Sequence, residues 1–174
     1  MALAEALAGL DDQARGRLSS YTADLDVLHF DAIWAPALLS LVEVCRIVDA
    51  PECAAPIYEC LVPYAQTLCV VSLNLSEMGP VSRALGVLAT LMGDYTRAQL
   101  HFEDALATSE RIGAPPHVAR TSVDYARMLL SRRAAGDAER AQGLLMQART
   151  IAERIGQGGV QADAADLSEQ RAGA

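Results

Sequence analysis

The chain has 174 residues and a formal net charge of −8, with 52% hydrophobic and 21% charged residues. This composition supports a folded core, and the negative charge disfavours nucleic acid as a general partner. All fourteen cationic side chains are arginine, which excludes P-loop nucleotide binding, pyridoxal phosphate enzymes and protein kinases, since each of these needs a lysine. Because the sequence has no membrane-length apolar run and no signal-peptide pattern, we expect a soluble, cytoplasmic protein.

Apolar residues at helical spacing run along nearly the whole chain, and no strand-like alternation of useful length is present. The predicted helices cover 2–28 with interruptions at Gly9 and Gly16, 31–48, 51–71 with a kink or break at Pro56 and Pro63, 79–92, 95–112, 117–133 and 138–155. Between them, 70–79 is predicted to be a long connection, either packed or available to a partner, with packing favoured. The tail from Gly156 is predicted to be frayed or disordered.

A 43-residue internal repeat organises the second half of the chain. The segment Gly93–Gln99 recurs as Gly136–Gln142, and Glu110-Arg-Ile-Gly113 recurs intact as Glu153-Arg-Ile-Gly156. A weaker copy begins at Asp49. We therefore expect about three helix–turn–helix units, each of which must stack on a neighbour to bury its apolar face.

Small and large residues alternate on the second helix of each predicted unit. The matching sets are Ala98, Phe102 and Ala105, and then Ala141, Leu145 and Ala148. A small residue on the first helix, Gly86 or Ala126, would let the second helix approach closely. The Gly-Asp turns would stop one helix and cap the next.

The spacing of Gly86, Ala98, Phe102 and Ala105 matches the tetratricopeptide (TPR) pattern. More specifically, the stretch from Trp34 to Gly156 resembles the C-terminal repeat region of large bacterial ATPase regulators. These are the LuxR-type regulators related to the maltose activator and the ATPases linked to adenylate or guanylate cyclases. The segments that carry the resemblance are 58–65, 79–81, 85–89, 98–106 and 119–129.

This resemblance implies an all-α fold, a right-handed α-solenoid of about three TPR-like helix pairs within 29–156. The pairs would cover roughly 31–72, 79–113 and 116–156, with a capping helix at 1–28 and a flexible tail at 157–174. Regulators of this family also carry an ATPase, and often a cyclase or helix-turn-helix domain, that nothing in this sequence fits. ATP and DNA binding are therefore not carried over, and we expect a free-standing or truncated module.

Stacked helix pairs of this kind present their first helices to a concave groove. The residues predicted to line that groove are Arg46, Arg83, Val87, Arg120, Val123 and Arg127. Guanidinium groups match carboxylates and phosphates, so the groove would suit an acidic peptide or a small acidic effector. The alternative is that these arginines pair with nearby acids, such as Glu43 and Asp124, on a solvated face.

No catalytic or metal-binding pattern is present in the sequence. Its three histidines are far apart and lack the companions of a metal motif, and no serine nucleophile elbow occurs. Its four cysteines, Cys45, Cys53, Cys60 and Cys69, form no CxxC pair. Packing as small hydrophobes is favoured over a thiol or metal pair of Cys53 and Cys60. We expect no enzyme activity, no cofactor and no metal.

The sequence therefore predicts a module for protein–protein interaction or effector sensing in a bacterial regulatory system, with no direct contact to nucleic acid or membrane. The alternative is a structural or oligomerisation remnant of a larger regulator, without a ligand of its own. A homodimer through the last helix pair is also predicted, because only the tail follows the last helix and its apolar face is expected to be partly uncovered.

Overall fold

A computed structural model describes residues 1–25, 34–71 and 76–172, which form two compact units, Met1–Ala98 and Gln99–Ala174. The helices are α1 Ala2–Leu7, α2 Asp11–Ala23, α3 Trp34–Ile47, α4 Ala54–Leu61, α5 Val81–Leu91, α6 Tyr95–Arg111, α7 Pro115–Arg132, α8 Asp137–Ile155 and α9 Gly158–Ala172. The described ranges also contain two strands, β1 Leu68–Val71 and β2 Ser76–Pro80, and 3₁₀ turns at Pro51–Cys53 and Val62–Tyr64. The prediction of a mainly helical protein is confirmed. Within the described ranges, no helix is long and apolar enough to cross a bilayer.

The first unit is built around α3, which packs against α1, α2, α4 and α5. Its core includes Leu38, Val42, Ile57, Leu61 and Leu85, each fully buried or nearly so. The predicted break at Gly9 is confirmed: this residue adopts a left-handed conformation between α1 and α2, which suits glycine. Gly16, by contrast, lies inside α2 without interrupting it.

Two short antiparallel strands occupy the described part of the connection that the sequence predicted at 70–79, and residues 72–75 of that prediction lie outside the described residues. Strand β1 pairs antiparallel with β2, with Leu68 opposite Pro80 and Cys69 opposite Gly79. Leu68 and Val70 are partly exposed, whereas Cys69 between them is buried. Exposure therefore alternates from residue to residue along β1, as in a half-buried strand. The expectation of no strand was wrong because all three residues are apolar, so the sequence shows no alternation of apolar and polar residues. The helix predicted over 51–71 ends near Pro63, where a break was expected.

In the second unit, α7, α8 and α9 pack against one another. The expectation of a frayed tail was wrong, since α9 occupies Gly158–Ala172 and buries Val160, Ala164 and Leu167. Residues four and three apart share one face of a helix, so tertiary burial stabilises a segment whose composition alone favours disorder. Leu145 on α8 is buried as well, which weakens the basis for the predicted homodimer.

Helices α6 and α8 reproduce the sequence repeat in their boundaries and burial. Each follows a glycine with positive φ, Gly93 or Gly136, and each ends at another, Gly113 or Gly156. The residues at the small–large–small positions are all buried, namely Ala98, Phe102 and Ala105, and Ala141, Leu145 and Ala148. The 43-residue period predicted from sequence therefore holds at the level of single helices.

Candidate functional site

In the first unit, Arg46 and Arg83 share the carboxylate of Glu43. Arg46 lies one turn after Glu43 on α3, and its Nε donates to Oε2 at 3.0 Å. Arg83 comes from α5, and its Nη2 donates to Oε1. All three side chains are largely buried, with exposed fractions between 11% and 17%. Arg83 thus joins α5 to α3 through Glu43, while Arg46 holds the same acid within α3.

In the second unit, Arg120 and Arg127 of α7 have separate acidic partners. Arg120 donates from Nη1 to Oδ2 of Asp163 on α9 at 2.5 Å. Arg127 donates from Nη1 to Oδ1 of Asp124, one turn earlier on α7, at 2.9 Å. The Arg120 side chain is 28% exposed and Asp163 is 34% exposed, so this ion pair is accessible at the surface.

The two valines predicted to line the groove are packed inside their units. Val87 on α5 is 5% exposed and Val123 on α7 is completely buried. Their side chains contribute to packing, so a ligand could not reach them in this conformation. The four arginines are each engaged by an acid in the same unit, and two of those acids, Glu43 and Asp124, are the partners that the alternative interpretation named.

A polar network around Glu103 lies on α6, α7 and α8 and was not found from sequence. Oε1 of Glu103 accepts from Arg140 and Gln99 at 2.9 Å and from the Tyr125 hydroxyl at 3.1 Å. Burial raises the pKa of Glu103, but these donors outweigh that effect and hold the pKa below its usual value. The Arg140 guanidinium also lies 4.9 Å from the centroid of the Tyr125 ring, which stacks on Phe102. The arrangement braces the three helices.

An ion pair between Arg132 and Asp137 stabilises the turn between α7 and α8. Arg132 binds both carboxylate oxygens of Asp137, with distances of 2.7 and 2.9 Å, and the Ala134 amide donates to the same carboxylate at 2.8 Å. The hydrogen bond from Arg132 is the main reason that the pKa of Asp137 lies below its usual value. Asp137 therefore stays charged at neutral pH and fixes this turn.

The cysteines are placed as packing residues. The Cys53 thiol lies 3.6 Å from the Thr22 hydroxyl and is 3% exposed, and Cys60 is only partly exposed. Burial, with a contribution from Cys53, raises the pKa of Cys45 to about 12. Among the described residues, no group of three or more histidines, cysteines or acids could hold a metal ion.

The described residues of each unit form a surface cleft that is open to a ligand. The cleft in the first unit measures about 540 Å³ and is mainly apolar, with contributions from α1, α2 and α3. The cleft in the second unit measures about 620 Å³ and lies between α8 and α9. Its lining consists of Gln142, Leu145, Met146, Arg149, Thr150, Glu153 and Ser168. Sequence reasoning missed this second cleft because it expected no helix after Gly156.

A comparison of the chain with protein-family models, curated proteins and solved structures finds no match.

Proposed function

We propose that this protein is a non-enzymatic helical-repeat module that binds an acidic segment of a protein partner in a cytoplasmic bacterial regulatory system. Its helix pairs would be TPR-like units of a right-handed solenoid. The resemblance from Trp34 to Gly156 and the 43-residue repeat support this reading. A small acidic effector would use the same guanidinium chemistry and is an outcome of the test below.

The observation that carries the proposal is the contact between Arg120 and Asp163. Here a guanidinium on α7 holds a carboxylate that a separate helix, α9, presents to it at 2.5 Å. The surface of α7 is therefore able to accept an acidic side chain from a helix, which is the recognition step that the function needs. Both side chains remain partly exposed, so a partner could reach the same guanidinium.

A purely structural role is the second candidate, and a specific observation favours it. Arg46, Arg83, Arg120 and Arg127 all have acidic partners within their own unit. In that case the arginines only brace neighbouring helices or successive turns, and the chain is a remnant or an oligomerisation element. The predicted homodimer would then be its main interaction, which sedimentation of the purified chain would measure.

A capture experiment separates the two candidates. The purified chain is used as bait in a lysate of the source organism, alongside the triple variant Arg83→Ala, Arg120→Ala and Arg127→Ala. The matched control is the triple variant Arg97→Ala, Arg111→Ala and Arg154→Ala, which removes the same charge from exposed positions. Circular dichroism melting of all three proteins establishes that they are folded at the capture temperature.

The proposal expects a partner that the wild-type chain and the control retain and that the variant with Arg83, Arg120 and Arg127 replaced loses. The captured protein is then identified by mass spectrometry, and its acidic segments are tested as peptides. A partner retained by all three proteins would contradict binding through these arginines. If the wild-type chain captures neither a protein nor an acidic metabolite, the result contradicts the proposal and favours the structural role.

A further inference from the structure

We infer that α9 is a displaceable occupant of a helix-binding surface on α7 and α8. The partner of this surface is an amphipathic helix with a carboxylate placed to reach Arg120, as Asp163 does now. This inference rests on the proposed function, because it names the partner and the regulation of the same site.

The first argument is that α9 buries few side chains for its length. Among its described side chains only Val160, Ala164 and Leu167 are buried, whereas α7 buries ten residues. The helix also begins with Gly158 and Gly159, and glycine is unfavourable inside helices. A 15-residue helix of this kind is not stable by itself in water, so α9 depends on its packing against α7 and α8 for its helical form.

The second argument is that α9 does not fill the surface that it covers. Among the described side chains, the cleft of about 620 Å³ between α8 and α9 is lined by six residues of α8 and by Ser168 of α9. Met146 within it is 68% exposed, and Leu145 also faces it. Ser168 is a small residue in this lining, so the cleft leaves room for a larger side chain at its place. The surface therefore fits a partner helix that carries a larger side chain at this position.

The third argument is the charge that this surface requires. Asp163, which pairs with Arg120, is next to the buried Ala164 in α9. The acid and the buried apolar residues therefore lie on one face of the helix. The register places apolar residues at 160, 164 and 167 and the acid at 163, with a free apolar place at 168. A partner helix would repeat this order, with apolar residues at its positions 1, 5, 8 and 9 and an acid at position 4.

The test uses a fluorescent peptide of residues 157–172 that carries Ser168→Leu, hereafter the α9 peptide, and follows its binding by anisotropy. It is titrated with the full-length wild-type chain and with a full-length chain that carries Asp163→Asn and Leu167→Ala. In the second protein the seated helix is weakened, so we expect the α9 peptide to bind at least about tenfold more tightly than to wild type. The matched control is Asp166→Asn, which removes the same charge from an exposed position of α9 and should leave peptide binding at the wild-type value.

The role of Arg120 is tested with a double-mutant cycle. Replacing Asp163 by Asn in the α9 peptide should weaken binding to the weakened chain by about fivefold or more. Adding Arg120→Ala to that chain should remove the difference between the two peptides. An undiminished difference would show that the acid is recognised elsewhere and would overturn this part of the inference.

Hydrogen exchange in the full-length chain tests displacement without any peptide. We expect the amides of α9 to exchange at least about tenfold faster than those of α7, and Asp163→Asn to speed α9 further while Asp166→Asn does not. Equal protection of α7 and α9, or no peptide binding to the weakened chain, would overturn the inference. If α9 opens and the α9 peptide binds, but the lysate yields no partner, the proposed function is contradicted and this inference stands. If a partner is captured while α9 stays closed, this inference is contradicted and the proposed function stands.

Discussion

Helices α7 and α9 follow similar turns at Gly113 and Gly156, but they differ greatly in how many residues they bury. Both come after Glu-Arg-Ile-Gly, and the two turns make the same hydrogen bond, from Ala114 to Ser109 and from Gln157 to Ala152, each at 2.9 Å. Yet α7 begins with two prolines and buries ten residues, and α9 begins with two glycines and buries three among its described side chains. The repeat fixes where a helix starts, and the side chains that follow decide how firmly it is held.

The largest expected difference comes from one leucine in each helix. Leu129 of α7 is completely buried and Leu167 of α9 is 6% exposed. Leu129→Ala should lower the global free energy of unfolding by about 2–5 kcal/mol, the usual result of emptying a core leucine site. Leu167→Ala should lower it much less. We infer that α9 opens before the rest of the unit, so the lost packing of Leu167 affects the local opening of α9 and not global unfolding. Chemical denaturation of both variants measures this, and equal losses would show that α9 unfolds together with α7.

The contrast between α7 and α9 also shows what sequence could and could not predict. The bounds of α6 and α8 were predicted to within one or two residues because glycines with positive φ mark their ends, at Gly93, Gly113, Gly136 and Gly156. Helix α9 was missed because two of the three side chains that are buried in its described part, Val160 and Ala164, are small and lie among glycine and aspartate. A segment with a weak apolar pattern forms a stable helix only when it packs against a neighbouring surface.

The candidate site was predicted only in part. Arg46, Arg83, Arg120 and Arg127 were selected by their spacing on first helices, and each does engage a carboxylate. Glu43 and Asp124 were among the nearby acids named from the sequence, and the structure pairs them with Arg46 and Arg127 at i to i+3 spacing. Asp163 could not be named, since its contact with Arg120 depends on a helix that was not expected.

The second prediction concerns the far end of α7, where Arg132 and Asp137 form a clamp. Asp137→Ala removes a bidentate pair and the bond to the Ala134 amide, and should lower the free energy of unfolding by about 1.5–3 kcal/mol at pH 7. The matched change in the first copy of the repeat is Asp94→Ala. Asp94 accepts from the Arg97 amide at 3.0 Å, so its loss should resemble that of an ordinary helix cap, about 1 kcal/mol.

Acid should reduce the effect of Asp137→Ala. The pKa of Asp137 lies below its usual value, so its charged form stabilises the folded chain above the ordinary carboxyl pKa of about 3.9. That contribution is lost as the pH falls through the lower pKa of the folded state. Denaturation of wild type and variant at pH 7, 5 and 3 would measure it. A difference that stays constant down to pH 3 would place the stabilisation in packing and not in the ion pair.

The third prediction compares the two glycine turns directly. Gly113 and Gly156 have φ values of 66° and 73°, and an added Cβ at either position would meet no atom within 4 Å. An alanine there is strained only by its backbone conformation, which costs about 1–2 kcal/mol. Gly113→Ala should show this loss in global unfolding, whereas Gly156→Ala should mainly speed hydrogen exchange in α9, because opening of α9 relieves the strain. Equal global losses would contradict the separate opening of α9.

The smallest expected effect would make α9 more like α7. Gly159 lies in the first turn of α9, and an added Cβ would meet no atom within 4 Å. Gly159→Ala should therefore stabilise α9 by about 0.5–1 kcal/mol, because alanine loses less backbone freedom than glycine on forming a helix. Hydrogen exchange in α9 should slow by about two- to fivefold, while α7 and α8 keep their rates. If the seated and open forms of α9 do exchange, this variant should also bind the α9 peptide more weakly than wild type, since its own helix competes better. Slower exchange with unchanged peptide binding would mean that α9 does not cover the surface at which the peptide docks.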